Sequence, residues 1–192
     1  MGNGHSAPAA EEKKSTVVAD ASRDNFVRRL YDSDVGRDFI LVSSEGEKRP
    51  VHKLILSVAS PVFHRTYLSN LEECMTGRCV LKDITSATLE KLLRYAYYGS
   101  LEGLSKENAK DVLIAADKYE LLEMKEACED VLIKDIVTNN VSKLLFLSDR
   151  VSAEALKRTA VEYIAANAGR PSEVLNNIVN NDVELNSTLY SR

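Results

Sequence analysis

No run of apolar residues in this chain approaches the roughly 20 needed to cross a bilayer, and its opening residues do not read as a secretory leader. Basic residues are the minority: 25 Lys and Arg stand against 29 Asp and Glu, giving a net charge of −4 and a pI near 5.5. Nucleic-acid binders usually carry a basic face, so that class of partner is not expected. Cysteine is scarce. Cys74, Cys79 and Cys128 are odd in number and form no CxxC pair, which points to a reduced, intracellular setting. A glycine-rich phosphate loop, a GxxxxGK motif and an internal repeat are all missing.

Catalytic constellations are missing too. Ser60, His52 and Asp38 are the only plausible nucleophile, base and orienting group, and sequence spacing does not assemble them. His64, Cys74 and Cys79 lack the spacing of a zinc site, and Cys79 falls in an expected strand. Buried thiols behaving as small hydrophobes are the simpler reading. The chain is therefore expected to be a non-enzyme that needs no metal or cofactor.

The residues that are present build a real core, since 44% are hydrophobic and 28% charged over 192 residues. Residues 1–21 are small, polar and charged, and predict a disordered tail. Ser22 can cap a helix carrying Phe26, Val27, Leu30 and Tyr31 on one stripe. "DFILVSS", a Glu45-Gly46 turn and "KRPVH" predict a hairpin, with Pro50 placing the second strand at an edge or its end. "KLILSVA" is a short helix, Ser60-Pro61 restarts another, and "RCVLKDI" is the next strand. A helix from Ser86 carries Leu89, Leu92, Leu93, Ala96 and Tyr97 and stops at Gly99. Ser105 is expected to cap the helix in "AKDVLIAADKY", and Leu121, Met124, Cys128, Val131 and Leu132 mark the face of another. "NNVSKLLFLSD" and "SAEALKRTAVEYIAANAG" follow, the latter expected to be capped by Ser152 and ended by Gly169, before a weak helical, asparagine-rich end. A small sheet covered by many helices is an α+β arrangement. Within it His52 is expected to be structural, and Asp38 and Lys53 to form a partly buried pair that can also help line a groove.

Three blocks of the sequence resemble the BTB/POZ domain family: "DFILVSSEGEKRPVHKLILSVASPVF", "VLKDITSATLEKLLRYAYYGSL" and "LIAADKYELLEMKEACEDVL". Their order and spacing match, and "SPVF", "AADKY" and "ACEDVL" look most like the speckle-type POZ group. The resemblance implies a BTB/POZ fold, a small mixed sheet flanked by helices, over residues 22–135 with its core at 37–104. "VTNNVSKLLFLSDRVSAEALKRTAVEYIAANA" resembles the three-box that begins a BACK region, so residues 136–192 are expected to be a short all-α extension. Pro50 and Ala59 depart from the family pattern, and the chain shows no MATH domain, kelch repeat or zinc finger to select a substrate.

By resemblance the protein is a dimeric, non-catalytic adaptor that joins an unidentified substrate to cullin-3. The second expectation is a dimeric scaffold or competitor of other BTB proteins, without a ligase role. Leu71-Glu72-Glu73 matches the family's hydrophobic-x-acidic cullin motif, so Leu71 and Glu73 are expected to bind, supported by Tyr119. Phe26, Val27, Leu30 and Ile55 are expected at a two-fold dimer interface. "MGNGHS" fits M-G-x-x-x-[ST], which would make Gly2 an N-myristoylation site with weak, reversible membrane attachment. The expected location is cytoplasmic, partly at membranes, with the nucleus left open.

Overall fold

A computed structural model describes residues 26–68 and 76–167. The expected tail, the Ser22 cap, Gly169 and the asparagine-rich end lie outside the described residues, as do Gly2, Leu71, Glu72, Glu73 and Cys74.

The chain enters through helix α1 (26–32) and leaves it at Gly36, whose φ of 78° suits a residue without Cβ. Arg37 closes this end, donating to the Tyr31 carbonyl at 2.6 Å. Strand β1 (Phe39–Val42) is apolar throughout, with Phe39 and Leu41 turned into the core. It pairs antiparallel with β2 (Lys48–Val51), Phe39 opposite Val51 and Val42 opposite Lys48. The third strand, β3 (Arg78–Val80), runs parallel to β1 on its other side, so the mixed sheet has the order β2-β1-β3. Pro50 therefore sits on an edge strand, where its missing N–H costs nothing. β3 is shorter than "RCVLKDI" suggested: Leu81 still donates to the Val42 carbonyl, and the chain then turns with Leu81 and Ile84 buried.

Between β2 and β3 lie α2 (Lys53–Ala59) and α3 (Pro61–Leu68), packed on each other. Ser60 breaks them apart and caps the second, its Oγ accepting from the Phe63 N–H at 3.2 Å. Helix α4 (Ser86–Tyr98) is capped by Thr85 and stopped by Gly99 at φ 68°, and it buries Leu89, Leu92, Leu93 and Tyr97 as its periodicity predicts. Helices α5 (Ala109–Lys118) and α6 (Leu122–Lys134) pack closely, sealing Val112, Leu113, Met124, Cys128 and Leu132. Ser105 does not cap α5 directly. It exchanges hydrogen bonds with Asn108 through a turn, and the helix starts one residue later at Ala109.

Helices α7 (Val141–Arg150) and α8 (Glu154–Ala166) form a hairpin that docks on α6. Here the expected Ser152 cap is corrected. Ser152 lies in the connecting turn with φ 49°, so it cannot hold the N-cap conformation. The buried Glu129 of α6 accepts from the Leu156 N–H at 3.1 Å instead, placing a carboxylate at the positive end of α8. Lys125, one turn earlier on α6, donates to the Val151 carbonyl at the negative end of α7. One α6 face thus fastens both ends of the α7–α8 turn.

Candidate interaction surfaces

The junction of β2 and α2 is closed by His52, which is only 8% exposed. Its Nε2 lies 2.8 Å from the Val35 carbonyl, and since a carbonyl only accepts, Nε2 carries the proton. Nδ1, 2.7 Å from the Tyr97 hydroxyl, then accepts from it, while that hydroxyl accepts from the His52 N–H at 3.0 Å. Every polar atom of the histidine is used by the fold. Burial pushes the Tyr97 phenol above its ordinary range, so it remains a donor. Asp38 and Lys53 do meet, but not as two charges. Asp38 is exposed and its Oδ1 accepts from the Lys53 main-chain N–H at 2.8 Å, while the ammonium lies 5.2 Å over the Phe39 ring. The expected partly buried pair is therefore a helix cap and a cation–π contact.

Ser60, His52 and Asp38 are not brought together for catalysis. The Ser60 hydroxyl donates to the Tyr119 carbonyl at 2.6 Å, and the other two are engaged as described. Burial pushes the Cys128 thiol up to about 12, so it stays an inert, protonated core group. Among the described residues no group of three His, Cys, Asp or Glu side chains is placed to hold a metal, and no helix is long and apolar enough to cross a membrane. A cleft of about 220 Å³ lies among Tyr31, Arg37, Arg49, Pro50, Leu93 and Tyr97. The Arg49 at its rim is already bound to Glu47 and Glu90.

The opposite side of α2 has no such closure. Leu54 is 73% exposed and Val58 81%, one turn apart on a single stripe. Of the residues expected at a dimer interface, Phe26 is exposed at 60%. Val27, Leu30 and Ile55 pack partly against the chain's own core. Tyr31 turns inward as well, edge-on to Tyr97 and Tyr98. Sequence reasoning missed Leu54 and Val58. The signal was present, because α2 is apolar on more sides than one core contact can cover.

A second apolar exposure lies where α3 approaches the start of α6. Phe63 stacks on Tyr119 with centroids 4.4 Å apart, and Arg65 pairs with Glu120 outside them. Three residues beyond Arg65, Leu68 is 72% exposed; two beyond Glu120, Leu122 is 69% exposed. Tyr119 itself is buried, so the support expected of it can come only from its ring as a packing element beneath this surface. Glu120, at φ 53°, makes the tight turn that brings Leu122 out beside the ion pair.

The family model for the BTB/POZ domain matches residues 28–136. Among solved structures, the BTB (Tramtrack and Bric a brac) domain of human gigaxonin is similar over 67% of this chain and 97% of that one, with 23% identity and a TM-score of 0.47.

Proposed function

Because the chain belongs to the BTB/POZ domain family, a family of protein–protein interaction modules, we propose that it is a dimeric adaptor joining a substrate protein to a cullin-3 ubiquitin ligase. The observation that carries this reading is the apolar rim formed by Leu68 and Leu122 around the Arg65–Glu120 pair. The Leu71-Glu72-Glu73 motif follows α3 three residues after Leu68. An apolar side chain there would lose water in a partner's pocket while Glu73 accepts hydrogen bonds beside it. The exposed Leu54–Val58 stripe supports the dimer, because two copies can cover it across a two-fold axis. On this reading residues 22–135 are the BTB unit and 136–192 the start of a BACK-type extension, as in the speckle-type POZ group. The substrate is left to another module or partner. Gly2 is the proposed lipidation site of a cytoplasmic protein.

The test is calorimetric titration of the purified chain with the N-terminal region of cullin-3. Leu71→Asp strands a charge in an apolar pocket, at a cost of several kcal/mol, or roughly a hundredfold or more in affinity. Circular dichroism and dimerisation should be unchanged in that variant. Glu73→Ala should weaken binding more than Glu72→Ala. Wild-type protein that dimerises but shows no heat with cullin-3 sinks the ligase reading and leaves a dimeric scaffold or competitor.

A further inference from the structure

Strand β1 reads Phe39-Ile40-Leu41-Val42, the continuous apolar run of a strand covered on both faces. The fold covers only one. Phe39 and Leu41 enter the core, whereas Ile40 and Val42 are half-buried and do not pack against it. Ladder partners share a face, so the register sets Ile40 between Pro50 and Arg78, and Val42 between Lys48 and Val80. Those four flanking residues are all exposed, Val80 at 51%. An open sheet face normally turns polar residues outward. This one has an apolar centre with a cation at two diagonally opposite corners. Neither Lys48 nor Arg78 forms an ion pair among the described residues. The carboxylates near the strand ends are held elsewhere: Asp38 by the Lys53 main-chain N–H, Glu45 by the Ser86 N–H at 2.8 Å, and Glu47 by Arg49 at 3.1 Å.

We propose that this outer sheet face docks a short acidic segment of a partner protein. Its apolar residues lie over Ile40, Val42 and Val80, and its carboxylates pair with Lys48 and Arg78. Charge complementarity selects this occupant. A second copy set face to face would bring four cations and no free carboxylate into one contact, which like-charge repulsion opposes. Nucleic acid asks for a broader basic surface than two side chains on a chain of net charge −4. Size selects a short segment over a folded domain. Three strands ~4.8 Å apart and two side-chain rows ~7 Å apart make a face of roughly 10 by 7 Å. That is room for two or three side chains, far below the about 800 Å² that each partner buries in a stable domain–domain interface. The face is carried by different elements from the α2 stripe and the Leu68–Leu122 rim, so it stands apart from the dimer and cullin readings.

Peptide selection on the full chain tests the assignment. Random ten-residue peptides displayed on phage are depleted on a Lys48→Glu/Arg78→Glu double variant and then selected on the wild type. Both positions are exposed, so the variant should keep the wild-type circular dichroism, thermal transition and oligomeric state. The enriched peptides should carry two or more Asp or Glu beside two or three apolar residues. By fluorescence anisotropy these peptides should bind the double variant at least about tenfold more weakly, and raised salt should weaken them on the wild type. Copies with Lys in place of each carboxylate should prefer the double variant. Val80→Ser, which leaves both cations in place, should weaken the original peptides severalfold. No enrichment overturns the proposal, as does an enriched set without carboxylates or one that binds Val80→Ser as well as the wild type. A folded double variant with an altered oligomeric state overturns it too, since a second copy would then be the occupant.

Discussion

Helix α2 meets the protein on one side and solvent on the other, and the two sides treat their residues in opposite ways. Toward the core, His52, Leu56 and Ser60 are buried, and the two polar residues have their hydrogen-bonding groups engaged. Toward solvent, Leu54 and Val58 are held out at 73% and 81% exposure with no polar work to do. A histidine and a serine deep in a fold can look like chemistry. Here their partners are the groups any fold must satisfy, the Val35 and Tyr119 carbonyls and a phenol. The unexplained residues are the apolar ones outside, and an exposed apolar stripe means a partner surface more readily than an exposed polar one. The inner side tells how the domain stands; the outer side is the surface proposed for the dimer.

The largest effect should come from breaking the outer side. Burying a leucine or valine fully contributes about 1.5–3 kcal/mol, so Leu54 and Val58 from two protomers offer roughly 6–12 kcal/mol before the cost of association. Val58→Asp replaces part of that gain with a desolvated charge on each side of the two-fold axis. Light scattering at about 10 μM should give a dimer for the wild type and a monomer for the variant. The melting temperature should depend on concentration only in the wild type. Leu30→Asp is a poorer probe, because Leu30 packs on the chain's own core and a charge there damages the fold as well. A Val58→Asp protein that remains dimeric would falsify the assignment of the outer side.

Breaking the inner side should cost less and leave association alone. His52→Ala leaves the Val35 carbonyl without its donor and the Tyr97 hydroxyl without its acceptor in a buried setting. Stranded groups of this kind cost about 1–3 kcal/mol each, so a loss of about 3 kcal/mol is expected. Urea unfolding should show a lower midpoint with an unchanged slope. The folded fraction should still dimerise. Loss of the dimer with no loss of stability would reverse the roles given to the two sides.

Much of this was legible in the sequence, and the parts that were not share a physical cause. A continuous apolar run located β1, the Glu45-Gly46 turn located β2 after it, and period-3.6 spacing located α4, because each signal is local to its own segment. Pro50 announced an edge strand for the same local reason. Ser152 misled, because its cap was taken over by Glu129, a residue 23 positions earlier that only tertiary packing brings near. Asp38 and Lys53 were rightly associated but through the wrong atoms, since residue types do not say whether the main chain or the ammonium will be closer. Val27, Leu30 and Ile55 were read as interface residues, and they pack partly against the chain's own core; Tyr119 was read as supporting the cullin contact, and it is buried. Apolar spacing tells that a stripe will be covered, and not whether the same chain or another covers it.

The smallest effect joins the outer side of α2 to the far end of the chain. If Gly2 carries a myristoyl group, one acyl chain supports membrane association of only about 10⁴ M⁻¹. Lys13 and Lys14 add little, because Glu11 and Glu12 stand beside them, and the chain's first cysteine is Cys74. A dimer presents two such tails, and the second binding event is then intramolecular, raising retention on the order of a hundredfold without any new contact. Membrane retention thus becomes a readout of the Leu54–Val58 surface. Metabolic labelling with a myristate analogue should mark the wild type, Val58→Asp and His52→Ala, and should not mark Gly2→Ala. After fractionation, a membrane-bound share should be found for the wild type and for whatever His52→Ala remains folded. Val58→Asp should be labelled yet soluble, because its single tail cannot hold it. An unlabelled wild type ends the lipid assignment. A labelled Val58→Asp that sediments with membranes as fully as the wild type would mean that the tail needs no dimer, and would cut the link between the two ends of the molecule.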